Sequence, residues 1–207
     1  MQVFTRQLRL VGAAEAAAWA VEVTAKAQAA SGMPISLWVG SVGLPSGSYA
    51  WSTPIEGMAQ MSEATDKMNS DDGLAALVAQ GRDYVAEVMP DRVHQLIHGE
   101  VAGPAPVGSF MGSVTAVAAE GQGQAAGAWA VKIADVWAGV TGISPVVTTT
   151  VAGPMFEYTW FVRHATAASI DDATAKIMAS AEYAAEVDGA AGLFHPGAAQ
   201  VYARRLA

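Results

Sequence analysis

The 207-residue chain has no cysteine, which removes disulfides, thiolate metal sites and cysteine nucleophiles together. Charge is scarce as well. Only 14% of residues are charged, and 11 Lys and Arg against 19 Asp and Glu leave a net charge of −8. Both halves are acidic, and the one adjacent cationic pair is Arg204-Arg205. A protein that follows a phosphate backbone needs a basic stripe, so no nucleic acid partner is expected. No run of 18 apolar residues free of charge, Gly and Pro occurs, and the chain opens directly into Gln2-Val3-Phe4-Thr5-Arg6. The expectations are no membrane partner, no secretory signal and a cytoplasmic location. Fixed catalytic signatures are missing too: no Gly-x-Gly-x-x-Gly after a strand, no Walker loop, no His-Glu-x-x-His and no Gly-x-Ser-x-Gly. Gly121-Gln122-Gly123 lacks the third glycine and reads as a turn opening a helix. Asp71-Asp72 and Asp171-Asp172 read as solvated or helix-capping acids.

What the chain has is 52% hydrophobic residues, enough for a substantial core, and a resemblance to itself. Ala18-Trp19-Ala20-Val21-Glu22-Val23 recurs as Ala128-Trp129-Ala130-Val131-Lys132-Ile133, 110 positions on, and Gly32 and Gly43 meet Gly142 and Gly153 at the same spacing. At a spacing of 109, Tyr49-Ala50-Trp51 meets Tyr158-Thr159-Trp160. Further on, Tyr84-Val85-Ala86-Glu87-Val88 matches Tyr183-Ala184-Ala185-Glu186-Val187 if the first half carries about ten extra residues. A unit this long is the size of a small domain, so two modules are expected, 1–102 and 107–207, with a stiff Gly-Pro connector between them.

Within the first module, residues 3–10 alternate as a strand, with Phe4, Arg6, Leu8 and Leu10 on one face. Residues 13–30 are helix formers ending before Gly32. Strands at 35–42 and 48–53 flank a turn-rich Gly43-Leu44-Pro45-Ser46-Gly47, and a helical region at 55–88, broken near Gly73, leads to a strand at 93–101. The second half repeats the pattern with strands at 107–118, 146–152, 156–163 and 199–206 and helices at 124–140 and 170–187. The order βαββαβ is that of a ferredoxin-like module, an antiparallel sheet with both helices on one side. Its uncovered face must bury against something, and the other module is the nearest candidate.

On this element order, module length and internal repeat, the chain resembles the dimeric α/β-barrel superfamily, in a form where one chain supplies both halves of a pseudo-twofold pair. The resemblance implies an α+β fold of two ferredoxin-like modules closing a barrel. The superfamily includes cofactor-independent antibiotic-biosynthesis monooxygenases, heme-degrading monooxygenases, cyclase- and isomerase-like enzymes and stress-responsive barrel proteins. It implies a ligand cavity between sheet and helices or at the barrel opening, and a small hydrophobic or aromatic partner.

Candidate ligand-binding residues are the aromatics of the two central hairpins, Trp38, Tyr49, Trp51, Phe156, Tyr158 and Trp160, on which a flat molecule could stack. A shared packing role competes with this, because Tyr-x-Trp occurs in both halves. Candidate catalytic residues are His94, His164 and Arg163, able to move a proton or steady an oxyanion. His94 and His98, four residues apart on a strand, would stand about 13 Å apart on one face, too far to share a metal. The expected function is a small-molecule-binding barrel acting as a cofactor-independent monooxygenase on an aromatic or polyketide-like substrate, with no cofactor. The alternatives are a noncatalytic binding protein and a heme-binding or heme-degrading one. A monomer or a homodimer is expected.

Overall fold

The structure, a computed structural model, describes residues 1–101 and 103–207. Ala102, at the expected end of the first module, lies outside the described residues. The first half contains β1 (Gln2–Leu10), α1 (Ala13–Ser31), β2 (Ser36–Val42), β3 (Ser48–Ile55), α2 (Met58–Asn69), α3 (Asp72–Gln80), β4 (Val85–Val88) and β5 (Arg92–His98). The second contains β6 (Phe110–Val117), α4 (Gly123–Thr141), β7 (Val146–Ala152), β8 (Glu157–His164), α5 (Ala167–Ala179), α6 (Ala181–Asp188) and β9 (Ala199–Arg205). Local chemistry sets the boundaries. Both long helices end on a glycine in the left-handed region, Gly32 at φ 73° and Gly142 at φ 79°, where a side chain would be strained. Asp71 caps α3 by accepting from the Leu74 amide at 2.8 Å, and Thr166 with Ser169 forms a capping box on α5.

All strands belong to one antiparallel sheet in the order β3-β2-β9-β6-β8-β7-β5-β1-β4, closed by pairing of β1 with β3. Eight strands therefore form a barrel, and β4 is an extra strand on the edge of β1 beyond the reach of β5. Each half contributes four strands in the ferredoxin-like order, and the halves join at β2–β9 and at β5–β7. Cross-strand partners share a face, so Phe4 with Thr53, Leu8 with Tyr49 and Arg6 with Trp51 all point outward to the helices. Inward point the alternating residues, among them Thr5, Gln7, Arg9, His94, Thr148, Thr159 and Arg163.

Three expectations are corrected. The helical region at 55–88 ends at a 3₁₀ turn, and residues 85–88 are β4 because Val85 and Val88 pair with the free edge of β1. The helix expected at 170–187 is two helices that meet at Ser180, whose side chain caps the second by accepting from the Tyr183 amide. The extra residues expected in the first half do not exist. Trp19 donates from Nε1 to the Leu77 carbonyl at 2.8 Å and Trp129 to the Glu186 carbonyl at 3.0 Å, so α3 and α6 correspond at the same spacing of 109 as the hairpins. Tyr84 stands opposite Leu193 instead, since Val11 donates to the Tyr84 carbonyl where Ala119 donates to that of Leu193. These bonds also place both indoles as helix-to-helix anchors.

Candidate functional site

Register locates the site. With Tyr49 equivalent to Tyr158 and Trp51 to Trp160, their cross-strand partners are equivalent too, so Leu8, Arg6 and Phe4 of β1 correspond to Ala116, Val114 and Gly112 of β6. In the first half two of these outward positions, Leu8 and Phe4, fill space beneath the helices, while Arg6 is half-exposed and pairs with Asp91. Leu8 and Leu10 pack with Leu37, Leu77 and Tyr49, and Phe4 packs with Met33, Ile55, Ala64 and Val93. In the second half the same strand face is cut back to glycine, valine and alanine. Ile55 is replaced by His164, and Val93 by Tyr202. The consequence is a cavity of about 320 Å³ between the outer face of β6, β8 and β9 and the helices α4 and α6.

Gly112, Val114 and Ala116 form its floor, Ile133, Ala134 and Trp137 of α4 its roof, and Trp129, Trp160 and Phe194 one aromatic wall. Phe194 lies edge-on to Trp129 at 5.4 Å and Trp160 at 6.0 Å. Trp160 is fixed by donating from Nε1 to the Ala130 carbonyl at 2.8 Å. The lining also includes polar residues: Ser113, His164, Gln200, Tyr202, and Tyr183, which packs on Trp137. Gln200 donates to the Tyr202 hydroxyl at 2.7 Å. Tyr202 crosses the place a side chain at 112 would take, since a Cβ there would lie 2.9 Å from its Cε1. None of the described residues lining the cavity is charged. Burial pushes the His164 imidazole below its ordinary value, against a hydrogen bond with the Ser169 backbone, and raises the Tyr183 phenol. His164 is therefore neutral near pH 7. Two nitrogens of the lining residues are shielded from solvent without a protein partner, His164 Nδ1 and Trp137 Nε1.

The structure brings two of the nine sequence-selected residues, His164 and Trp160, into this wall. Tyr158 lies just behind, donating to the Gly123 carbonyl at 2.7 Å and packing on Phe194. Tyr49 and Trp51 belong to the apolar core of the first half, where Trp51 donates to Thr24 Oγ1 at 2.8 Å, and Tyr49 also borders an open hollow of about 590 Å³ with Leu10, Val39 and Leu44. Trp38 alternates to the inner face of the barrel and donates to Ser52 Oγ at 2.9 Å. Phe156 is 56% exposed at the tip of the β7–β8 hairpin, with φ 58° and its ring against Gly123. His94 and Arg163 also face inward. His94 is edge-on to Phe161 at 5.9 Å, and Arg163 donates to the Gly103 carbonyl at 2.6 Å. A bulge between Leu96 and His98 turns His98 to the outer face, where it meets Asp135 of α4 at 3.0 Å. The two histidines thus do not share a face as the four-residue spacing predicts.

Trp137, Phe194 and Tyr202 lie in no motif, Trp129 and Tyr183 lie in the repeated strings, and none of the five was selected from sequence as a site residue. The available signal was the contrast between Phe4-x-Arg6-x-Leu8-x-Leu10 and Gly112-x-Val114-x-Ala116-x-Ala118, which becomes visible once Tyr-x-Trp fixes the register.

No family model and no curated protein matches the chain. Solved structures do. A presumptive monooxygenase from Fusobacterium nucleatum superposes with a TM-score of 0.72 at 6% identity, over 100% of this chain and 92% of that one. An anthrone oxidase-like protein gives 0.72 at 8% identity, over 100% and 91%. A dye-decolorizing protein from Vibrio cholerae gives 0.53 at 8% identity, over 98% and 93%. At such identities the likeness is one of fold, and with the closed eight-stranded sheet and its two outer helical layers it establishes that this chain has the dimeric α/β-barrel fold, both ferredoxin-like halves being supplied by one polypeptide.

Proposed function

We propose that the protein binds a small, flat, largely apolar molecule in the cavity of its second half and oxidises it with O₂ without an added cofactor. The observation that carries the binding is the cutting back of one strand face, Gly112, Val114 and Ala116 where the first half has Phe4, Arg6 and Leu8. A pocket of about 320 Å³ lined almost wholly by apolar side chains offers a small apolar ligand a surface against which to leave water. The names of two structural neighbours, a presumptive monooxygenase and an anthrone oxidase-like protein, support the choice of reaction.

An electron-rich phenol or anthrone-type methylene supplies all the electrons such a reaction needs. Loss of a proton gives an anion that O₂ can oxidise, and the balance R₂CH₂ + O₂ → R₂C=O + H₂O requires no external reductant. His164, neutral and on the cavity wall, is the group able to take that proton. The dry aromatic wall of Trp129, Trp160 and Phe194 would hold the ring and keep out competing water. A heme has less support, because its two carboxylates would find no cation among the described lining residues.

The test restores the first-half side chain. Ala116→Leu, matching Leu8, is expected to keep the fold by circular dichroism and to weaken binding of 2-naphthol by at least tenfold in calorimetric titration. Unchanged affinity would place the ligand elsewhere. O₂ uptake with anthrone that falls in His164→Phe supports the oxidase reading, and binding without any uptake supports the noncatalytic one.

A further inference from the structure

The two halves also differ where their long helices begin. α1 starts from Gly12, in the left-handed region at φ 90°, with no side chain capping it. Its counterpart before α4 is Gln122, at φ −99°, whose amide donates to the Ala119 carbonyl at 2.9 Å. The Gly12 and Ala14 amides donate to no described group. A left-handed residue leading into a helix turns successive N–H groups toward one point, and the helix dipole adds positive potential there.

Tyr49 supplies the second, independent observation. In the second half Tyr158 donates to the Gly123 carbonyl at 2.7 Å, which residue 127 permits by being glycine: a Cβ there would lie 2.9 Å from the phenol oxygen. The first half has Ala17 at that place, and Tyr49 makes no such bond. Tyr49 is 8% exposed, and its hydroxyl has no hydrogen-bond partner among the described residues. Yet that hydroxyl is not one of the unpaired polar atoms shut off from solvent. It therefore opens into the hollow of about 590 Å³ that Tyr49 lines together with Gly12 and Ala16 of the helix start. Burial raises the phenol pKa, so the group is a donor near pH 7. Leu10, Val39 and Leu44 give the hollow an apolar side, Leu44 folding over Gly40. None of the described lining residues is charged, and Glu15, in the first turn of α1, is exposed and outside the lining.

We propose that this hollow binds a small aliphatic carboxylate, its head on the Gly12 end of α1 and the Tyr49 hydroxyl and its tail against Leu10, Val39 and Leu44. The groups that meet the head are all donors, so an anion gains from the dipole what an uncharged amide does not. With no cation in the lining, a singly charged head suits the site better than a doubly charged phosphate. The site is separate from the second-half cavity and does not depend on what that cavity binds.

Hexanoate, acetate, hexanamide and inorganic phosphate separate head from tail in an NMR titration of the full chain at pH 7. Hexanoate should shift the Gly12 amide signal and bind at least tenfold more tightly than acetate, the gain of about two buried methylenes. Hexanamide and phosphate should each bind at least tenfold more weakly than hexanoate. Tyr49→Phe should weaken hexanoate about tenfold and leave the urea midpoint of the free protein in place, because the hydroxyl it removes bonds nothing there. Ala17→Gly is the second variant, since it reopens the place that Gly127 leaves; Tyr49 should then bond the helix carbonyl as Tyr158 does, and hexanoate should weaken by a similar factor. An unmoved Gly12 signal, hexanamide or phosphate binding as tight as hexanoate, or an affinity that neither variant changes would overturn the proposal.

Discussion

His94 is buried on the inner face of the barrel, edge-on to Phe161 and with Nδ1 unpartnered. Burial, helped by the charge of nearby Arg92, lowers its pKa to about 4. The unfolded chain would protonate near the ordinary 6.5, so between those values the unfolded state holds more protons than the native one. Stability is then fully present above pH 6.5 and falls as the pH drops toward 4. At pH 4.5 this single group removes about 2–3 kcal/mol. His94→Phe keeps the ring contact and removes the titration, so urea unfolding at pH 7 and pH 4.5 should show a smaller acid loss in the variant by about that amount. An unchanged loss would move the acid sensitivity to other groups. The same residue shows where sequence reading stopped: that a histidine at 94 lies on a strand was legible, but that the strand's uncovered face closes into a lumen lined with Thr, Arg and His was not. Alternation gives faces but does not say which is inner.

At the scale of elements, β4 and its counterpart in the second half show how similar strings part company. Tyr84-Val85-Ala86-Glu87-Val88 ends in a strand, and Tyr183-Ala184-Ala185-Glu186-Val187 lies in α6. Val85 favours extended backbone and finds the free edge of β1, whereas Ala184 and Ala185 favour helix. Composition made these strings look equivalent, and only the anchoring bonds of Trp19 and Trp129 reveal the true spacing. What stands opposite β4 is the segment 189–198, tied to the end of β6 by a single bridge, Ala118 with Phe194, and by the His195 amide donating to the Val117 carbonyl at 2.9 Å. Phe194 is its anchor, half-buried in the aromatic wall. Phe194→Ala is expected to cost about 1–3 kcal/mol, less than for a fully buried Phe, and to speed exchange of the Ala119 and His195 amides relative to those of central β8. The exchange readout is the discriminating one. Equal protection after substitution would mean that backbone bonds alone hold the segment.

At the scale of the molecule, the order βαββαβ and the Tyr-x-Trp echo were enough to anticipate two sheets closing on each other, because neither half can bury its inner face alone. The seams themselves were not legible, since strand order between halves depends on edges that carry no local signal. One seam is stitched by Arg92 of β5, which donates to Glu157 of β8 at 2.8 Å, and Glu157 also accepts from Thr150 at 3.1 Å. Glu157 is only 3% exposed, so its carboxylate depends on that cation. Arg92 is about one-third exposed, which tempers the cost: Arg92→Leu should lower stability by roughly 2–3 kcal/mol. The halves line one lumen and share both seams, so this loss should appear in both halves at once. Tryptophans are divided between them, Trp19, Trp38 and Trp51 against Trp129, Trp137 and Trp160. Phe substitution of one set or the other then reports each half separately. Coincident urea transitions in the two reporters, shifted together by Arg92→Leu, are expected for a barrel that unfolds as one unit. Transitions that separate, with only one moving, would show that each half folds alone and that the seam is a contact between finished domains.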